Sequence, residues 1–164
     1  MKKLILSLFV VIIFCGIDTV PTEPYPYRPI MMTREVLESS VELIEPAKLI
    51  KPGKIYIKDD YLFINEKYKG LHIIDNTDPS NPVNKGFLRI PGSIDMAMKG
   101  NILYVDNAVD LVAIDLSDPS NIIVTRRIKN VFPEIVPPGE FDIPWMYSID
   151  QRPENTVIIG WEKI

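Results

Sequence analysis

The stretch Gly70-Leu71-His72-Ile73-Ile74-Asp75-Asn76-Thr77-Asp78-Pro79-Ser80-Asn81-Pro82 decides the fold. Most of it returns as Asp110-Leu111-Val112-Ala113-Ile114-Asp115-Leu116-Ser117-Asp118-Pro119-Ser120-Asn121. Overlaying Asp75 on Asp115 and Pro79 on Pro119 gives the same offset, 115 − 75 and 119 − 79, or 40 residues. A period of about 40–45 residues with several strand-like segments per unit is what four-stranded propeller blades produce.

The overlay extends outward from that core. Lys58–Asn65 (KDDYLFIN) matches Lys99–Asp106 (KGNILYVD) at an offset of 41, one residue being lost in the loop that follows. Loops absorb such a change at little entropic cost. In the first unit strands are expected at Ile55–Lys58, Tyr61–Asn65, Leu71–Asp75 and Val83–Ile90. The second unit repeats them at Ile94–Met98, Ile102–Asp106, Leu111–Asp115 and Ile122–Ile128.

Each segment is a short run rich in Ile, Val, Leu, Tyr and Phe, bounded by Gly, Pro, Asn and Asp. LHII and LVAI are nearly continuous apolar runs, as strands covered on both faces require, whereas KGFLRI and VTRRI are mixed and suit an outer strand. The loops DNTDPSNP and DLSDPSN are built from residues that choose bends. Asp and Asn side chains accept hydrogen bonds from nearby backbone, and Pro presets its own backbone angle.

An apolar strand ending in Asp and followed by Ser/Thr-Asp-Pro-Ser-Asn resembles the LVIVD-repeat family of secreted bacterial proteins. The resemblance covers most of Lys54–Pro133, and the upstream segment YRPIMMTREVLESS (Tyr27–Ser40) is similar to the leader of lipoprotein members from Bacteroidetes-type bacteria. It implies a propeller-like repeat fold. It implies little about activity, because no catalytic motif comes with it.

The expected architecture is therefore all-β: a partial β-propeller of four-stranded blades with an incomplete ring, behind an N-terminal signal helix. Its blades lie near residues 54–90 and 93–129, inside a repeat region spanning 41–164. A partial third unit, 145–164, is expected to repeat the first two strands of a blade at Met146–Asp150 and Thr156–Trp161. Upstream, Val41–Ile57 is similar to Val83–Met96, so the region is expected to open with a lone fourth strand, the one that in a ring would complete the last blade. Closed propellers have about four to eight blades. The remaining blades would come from a longer chain or another protomer, since repeat units need neighbours to bury their surfaces.

Residues 1–15 read as an export signal. Lys2 and Lys3 precede an apolar run from Leu4 that ends near Ile17, short of the roughly 20 residues of a membrane-spanning helix. Cys15, the single cysteine, stands at the end of that run as in a bacterial lipobox, which would make it the site of lipid attachment. Phe14 stands where that pattern has a small residue. Residues 16–40 read as a tether and a short helix: Pro21, Pro24, Pro26 and Pro29 favour extended backbone and oppose sheet. Thr33–Ser40 is suited to a helix capped by Thr33, with Glu35 in its first turn. The address implied is the cell envelope, as an outer-membrane lipoprotein on its periplasmic or surface side.

Charge argues against a nucleic-acid partner. The chain is formally −4, and −6 without Met1–Phe14, when 16 basic residues face 22 acidic ones. Beyond the signal, Arg126 and Arg127 form the only adjacent basic pair, and on a strand they would point to opposite faces. Candidates for catalysis are sparse, and none is assigned. His72, the only histidine, occupies a place where the second unit has Val112, which suits packing better than proton transfer. No cofactor is indicated.

Asp75 and Asp78, with their counterparts Asp115 and Asp118, offer oxygen ligands to calcium, but turn formation explains them better, because the spacing lacks a Gly-centred calcium loop with a terminal Glu. Trp145, Tyr147 and Trp161 suit either a sugar-stacking platform or a core. Two functions are open. One is a non-catalytic binding or scaffold module held at the membrane by a lipid anchor, with a protein or glycan ligand. The other is a fragment of an extracellular enzyme acting on carbohydrate or another polymer, with its site in missing blades.

Overall fold

All eight strands expected from the two repeat units form. A computed structural model describes residues 25–164, so the signal segment, Cys15 and the first part of the proline-rich stretch lie outside the described residues. In chain order the elements are β1 (Tyr27–Thr33), α1 (Arg34–Glu38), β2 (Glu42–Ile44), β3 (Pro52–Lys58), β4 (Tyr61–Glu66), β5 (Gly70–Asp75), β6 (Val83–Arg89), β7 (Met96–Lys99), β8 (Ile102–Asn107), β9 (Asp110–Asp115), β10 (Ile123–Ile128) and β11 (Thr156–Lys163). The described residues are nearly all β, without a closed barrel among them, and the repeats build two propeller-type blades: β3-β4-β5-β6 and β7-β8-β9-β10, each an antiparallel meander.

The repeated turns repeat in atomic detail. Asp75 Oδ1 accepts from the Thr77 amide and hydroxyl at 3.1 and 2.7 Å, and Asp115 Oδ1 accepts from Ser117 in the same way at 2.8 and 2.6 Å. Asp78 Oδ1 and Asp118 Oδ1 take the amides of Ser80 and Ser120 at 3.0 and 2.9 Å. Each loop is pinned back to the facing hairpin, by Asn76 N to Asp60 O at 2.7 Å and by Leu116 N to Asn101 O at 2.9 Å. Asp and Ser/Thr at this spacing satisfy the backbone of the bend locally, which is why the motif recurs.

Strand alternation sorts each blade into two faces. Phe63, Leu71, Ile73 and Leu88 point from the first blade toward the second, and Leu103, Val105, Val112 and Ile114 point back. This interlayer is the main core, closed on the inner strands by Tyr56, Met96 and Met98. Burying each such aliphatic side chain stabilises the fold by about 1.5–3 kcal/mol.

Three segments depart from expectation. β2 does not stand in for a strand of another blade; it adds to the outer edge of β6, making the first sheet five-stranded in the order β2-β6-β5-β4-β3. An open edge amide row beside it and the pairing of Leu43 with Leu88 account for this. Since β2 and β3 lie at opposite edges, residues 45–51 cross the outer face of the first blade, where Ile50 N reaches Glu66 and Ala47 O accepts from Asn84 Nδ2 at 3.1 Å. Tyr27–Pro29 are not tether but part of β1, which pairs with β11 in a two-stranded sheet. Pro29 is tolerated because both strands are edges.

Met146–Asp150 is not a strand either. Trp145–Tyr147 forms one 3₁₀ turn after Pro144, which has no amide to give a ladder, while Thr156–Trp161 does become strand, within β11. The short helix forms as expected, with Thr33 accepting from the Val36 amide and Glu35 in the first turn. A second core, built from Leu37, Val157, Ile158 and Trp161, seats this β1-α1-β11 layer on the turns at Tyr68 and at Ala108–Val109.

Candidate functional site

Among the described residues, no blade lies against the outer face of the second blade. Tyr104 lies 41 positions after Phe63, Leu111 lies 40 after Leu71 and Ala113 lies 40 after Ile73, so these three side chains occupy the places that in the first blade are sealed by the second. Tyr104 is 37% exposed where Phe63 is 2% exposed. Its cross-strand neighbours are Ala97 and Ala113, against Tyr56 and Ile73 beside Phe63. Small residues on both sides of one aromatic ring leave a depression.

That depression is a cleft of about 540 Å³. Tyr68, from the β4–β5 turn, and the segment Phe132–Val136 wall it at the turn end. The segment is fixed by the amides of Val131 and Phe132, which donate to Val109 O at 2.8 and 3.0 Å, and by Ile135 O, which accepts from Trp161 Nε1 at 2.8 Å. An apolar, aromatic lining with few polar groups is the usual character of a ligand seat.

The charged residues around the cleft already have partners. Asp106 accepts from the amides of Ile94 (2.8 Å) and Asp95 (2.7 Å). Burial nevertheless raises its carboxyl above the ordinary Asp value, against these hydrogen bonds. Asp95 is hydrogen-bonded by Lys54 Nζ at 2.6 Å, which lowers its carboxyl. Glu134 pairs with Arg152, and Lys67 Nζ lies 4.8 Å from the centre of the Tyr68 ring. Such an arrangement can hold an apolar or aromatic surface with polar groups at its margin.

Of the residues singled out from sequence, Asp75, Asp78, Asp115 and Asp118 sit at the other end of the blades, each with Oδ1 engaged in its own turn. The Thr77 and Ser117 hydrogen bonds hold the Asp75 and Asp115 carboxyls low. Among the described residues, no three His, Cys, Asp or Glu side chains gather closely enough to hold a metal ion. Cys15 lies outside the described residues.

His72 is fully buried on the first blade's outer face, with Nε2 3.0 Å from Glu66 Oε2 and its ring edge-on to Phe87. Burial alone would raise the Glu66 carboxyl. Hydrogen bonds from Lys69, His72 and the Ile50 amide outweigh it and hold the group below the usual range. Arg127 turns inward to Asn107 and Asp110 while Arg126 is exposed, so they form no basic patch. Tyr147 and Trp161 pack edge-to-face at 5.6 Å in the second core, whereas Trp145 is 73% exposed, and the three make no common platform.

The cleft itself went unread in the sequence. Its signals are the small Ala97 and Ala113 beside Tyr104, where the first repeat has Tyr56 and Ile73 beside Phe63.

Searches of curated proteins and of solved structures each find no match. The LVIVD repeat model matches residues 52–88 and 93–129, the two blades described above. The chain thus carries two LVIVD repeats, one per blade.

Proposed function

We propose that this is a non-catalytic, exported repeat protein, tethered to the membrane at Cys15, that acts in the cell envelope as a binding or scaffold module for a protein or glycan. The cleft on the second blade carries this reading. It is a large apolar and aromatic recess whose neighbouring acids are occupied by backbone amides, Lys54 and Arg152, and so are not set out as an acid–base pair. The lysine-led apolar leader followed by Cys15 supports export and lipidation, on the periplasmic or surface side of the outer membrane. The acidic net charge supports a partner other than nucleic acid.

The full chain expressed in a bacterial envelope, with a photo-crosslinking side chain in place of Tyr104, should give a discrete adduct on illumination. The same probe at Ser80, at the far end of the blades, should give none. Absence of any adduct from position 104 would overturn the binding role. Fatty-acid labelling of the chain should be lost in Cys15→Ser, which should also leave the membrane fraction.

A further inference from the structure

We propose that the occupant of the cleft is the first blade of a second copy of this chain, docked head to tail on the second blade through Ile55 and Ile57 of its inner strand β3, the part of its outer face that residues 45–51 leave open. The inference rests on the reading of the cleft as a binding surface and names its partner.

The internal repeat supplies the geometry. Met96 and Met98, on the inner strand of the second blade, are partly buried against the interblade core; their counterparts 41 residues earlier, Ile55 and Ile57, are 60% and 69% exposed. Tyr104 is the counterpart of the buried Phe63 on the opposite outer face. One copy therefore shows the side of a junction that Ile55 and Ile57 belong to, and also the side that Tyr104 belongs to. Residues 45–51 cross the first blade's outer face without covering Ile55 and Ile57, and the β1-α1-β11 layer sits on the turns rather than on the blade faces.

Charge agrees with the same junction. Lys54 and Asp95 occupy one position in the two blades, 95 − 54 being 41, and within the chain they meet at 2.6 Å across the inner strands. Stacking the next copy sets Asp95 of one against Lys54 of the next, again opposite in sign. Two identical charges at this position would instead repel at every junction. A contact between two different faces of one molecule is heterologous, so it propagates until the ring closes, and two blades per copy reach a ring of about four to eight blades with about two to four copies.

Heterologous pairing has a signature that a symmetric dimer lacks. Ile57→Arg blocks one face and Tyr104→Arg the other; both residues are exposed, so the fold, checked by circular dichroism, is retained. Two differently tagged copies of the full chain, co-expressed in the envelope and solubilised in detergent, should co-purify. Each variant paired with itself should lose this by at least about tenfold, and the two variants mixed should regain it as a one-to-one pair. The charge-swapped Lys54→Asp/Asp95→Lys chain should pair like the parent, while Lys54→Asp alone should pair several-fold more weakly.

The photo-adduct from position 104 should have the mass of two copies, joined to a peptide within residues 52–66. An adduct with any other protein, failure of differently tagged parent chains to co-purify, or no recovery on mixing would overturn the proposal. The first of these leaves the binding role standing. Loss of every adduct removes both.

Discussion

Arg34 Nη1 lies 2.7 Å from Oδ1 and 2.8 Å from Oδ2 of Asp110, fastening α1 to the β8–β9 turn across 76 residues of chain. Arg127 Nη1 donates to Oδ2 of the same carboxylate at 2.8 Å, and the Asn130 amide donates to its Oδ1 at 3.0 Å. Asp110 is fully buried, so its removal strands two guanidinium groups in a place with little water. Asp110→Ala should destabilise the protein by about 3–5 kcal/mol, as losing one side of a buried ion pair does. Arg34→Ala should cost less, because Arg127 remains. Urea unfolding of the three proteins measures the difference.

The same carboxylate sets an acid limit. Burial pushes Asp110 up, but Arg34, the Asn130 amide and Arg127 more than offset it, so its folded value lies below the ordinary one, as that of Glu66 does. A lowered acid contributes stability above its unfolded value of about 4 and loses it as pH falls through the folded value. Asp106 has the opposite sign. Its raised value means that stability declines as pH rises from the unfolded value to the folded one. Stability measured from about pH 3 to pH 7 should fall less steeply at the acid end in Asp110→Asn, and should lose the decline above about pH 4 in Asp106→Asn.

Two glycines that look alike in sequence should respond differently. A Cβ at Gly70 would sit 2.0 Å from Leu88 O, and its φ of +144° is one that side chains rarely adopt. Gly70→Ala should cost at least about 2 kcal/mol. Gly100 has open space and φ +60°, and its counterpart in the first blade is Asp59 at φ 51°. Gly100→Asp should change stability by less than about 1 kcal/mol. Thermal melting of both variants decides.

Leu103 is fully buried between the blades and its counterpart Leu62 is only partly so, on the face that has no blade beyond it. Leu103→Ala should cost about 2–5 kcal/mol, the range for truncation in a packed core, and Leu62→Ala less than half as much. Equal losses at the two positions, read by denaturant unfolding, would contradict the face assignment.

Both blades were legible because their signals are local. Asp-Pro-Ser-Asn closes its own turn, and LHII and LVAI mark the strands beside it. β1 was not, since its partner β11 lies more than a hundred residues away while Pro21 to Pro29 speak for an extended tether. Met146–Asp150 carried a strand-like composition, but Pro144 precedes it and Trp145–Tyr147 takes up a 3₁₀ turn. The cleft was equally hidden. Its depth depends on Ala97 beside Tyr104, and its far wall, Phe132–Val136, falls outside the repeats.

The pairing of β1 with β11 has a consequence for how the molecule comes apart. Linear arrays of repeats can peel from either terminus one unit at a time, since each unit touches only its neighbours. Here Arg28 bonds to Glu162 and the Arg34 amide to Asn155 O, so the first and last described strands hold each other and neither frays without the other. The assembly is latched into a loop, and both blades must yield together in a single melting step.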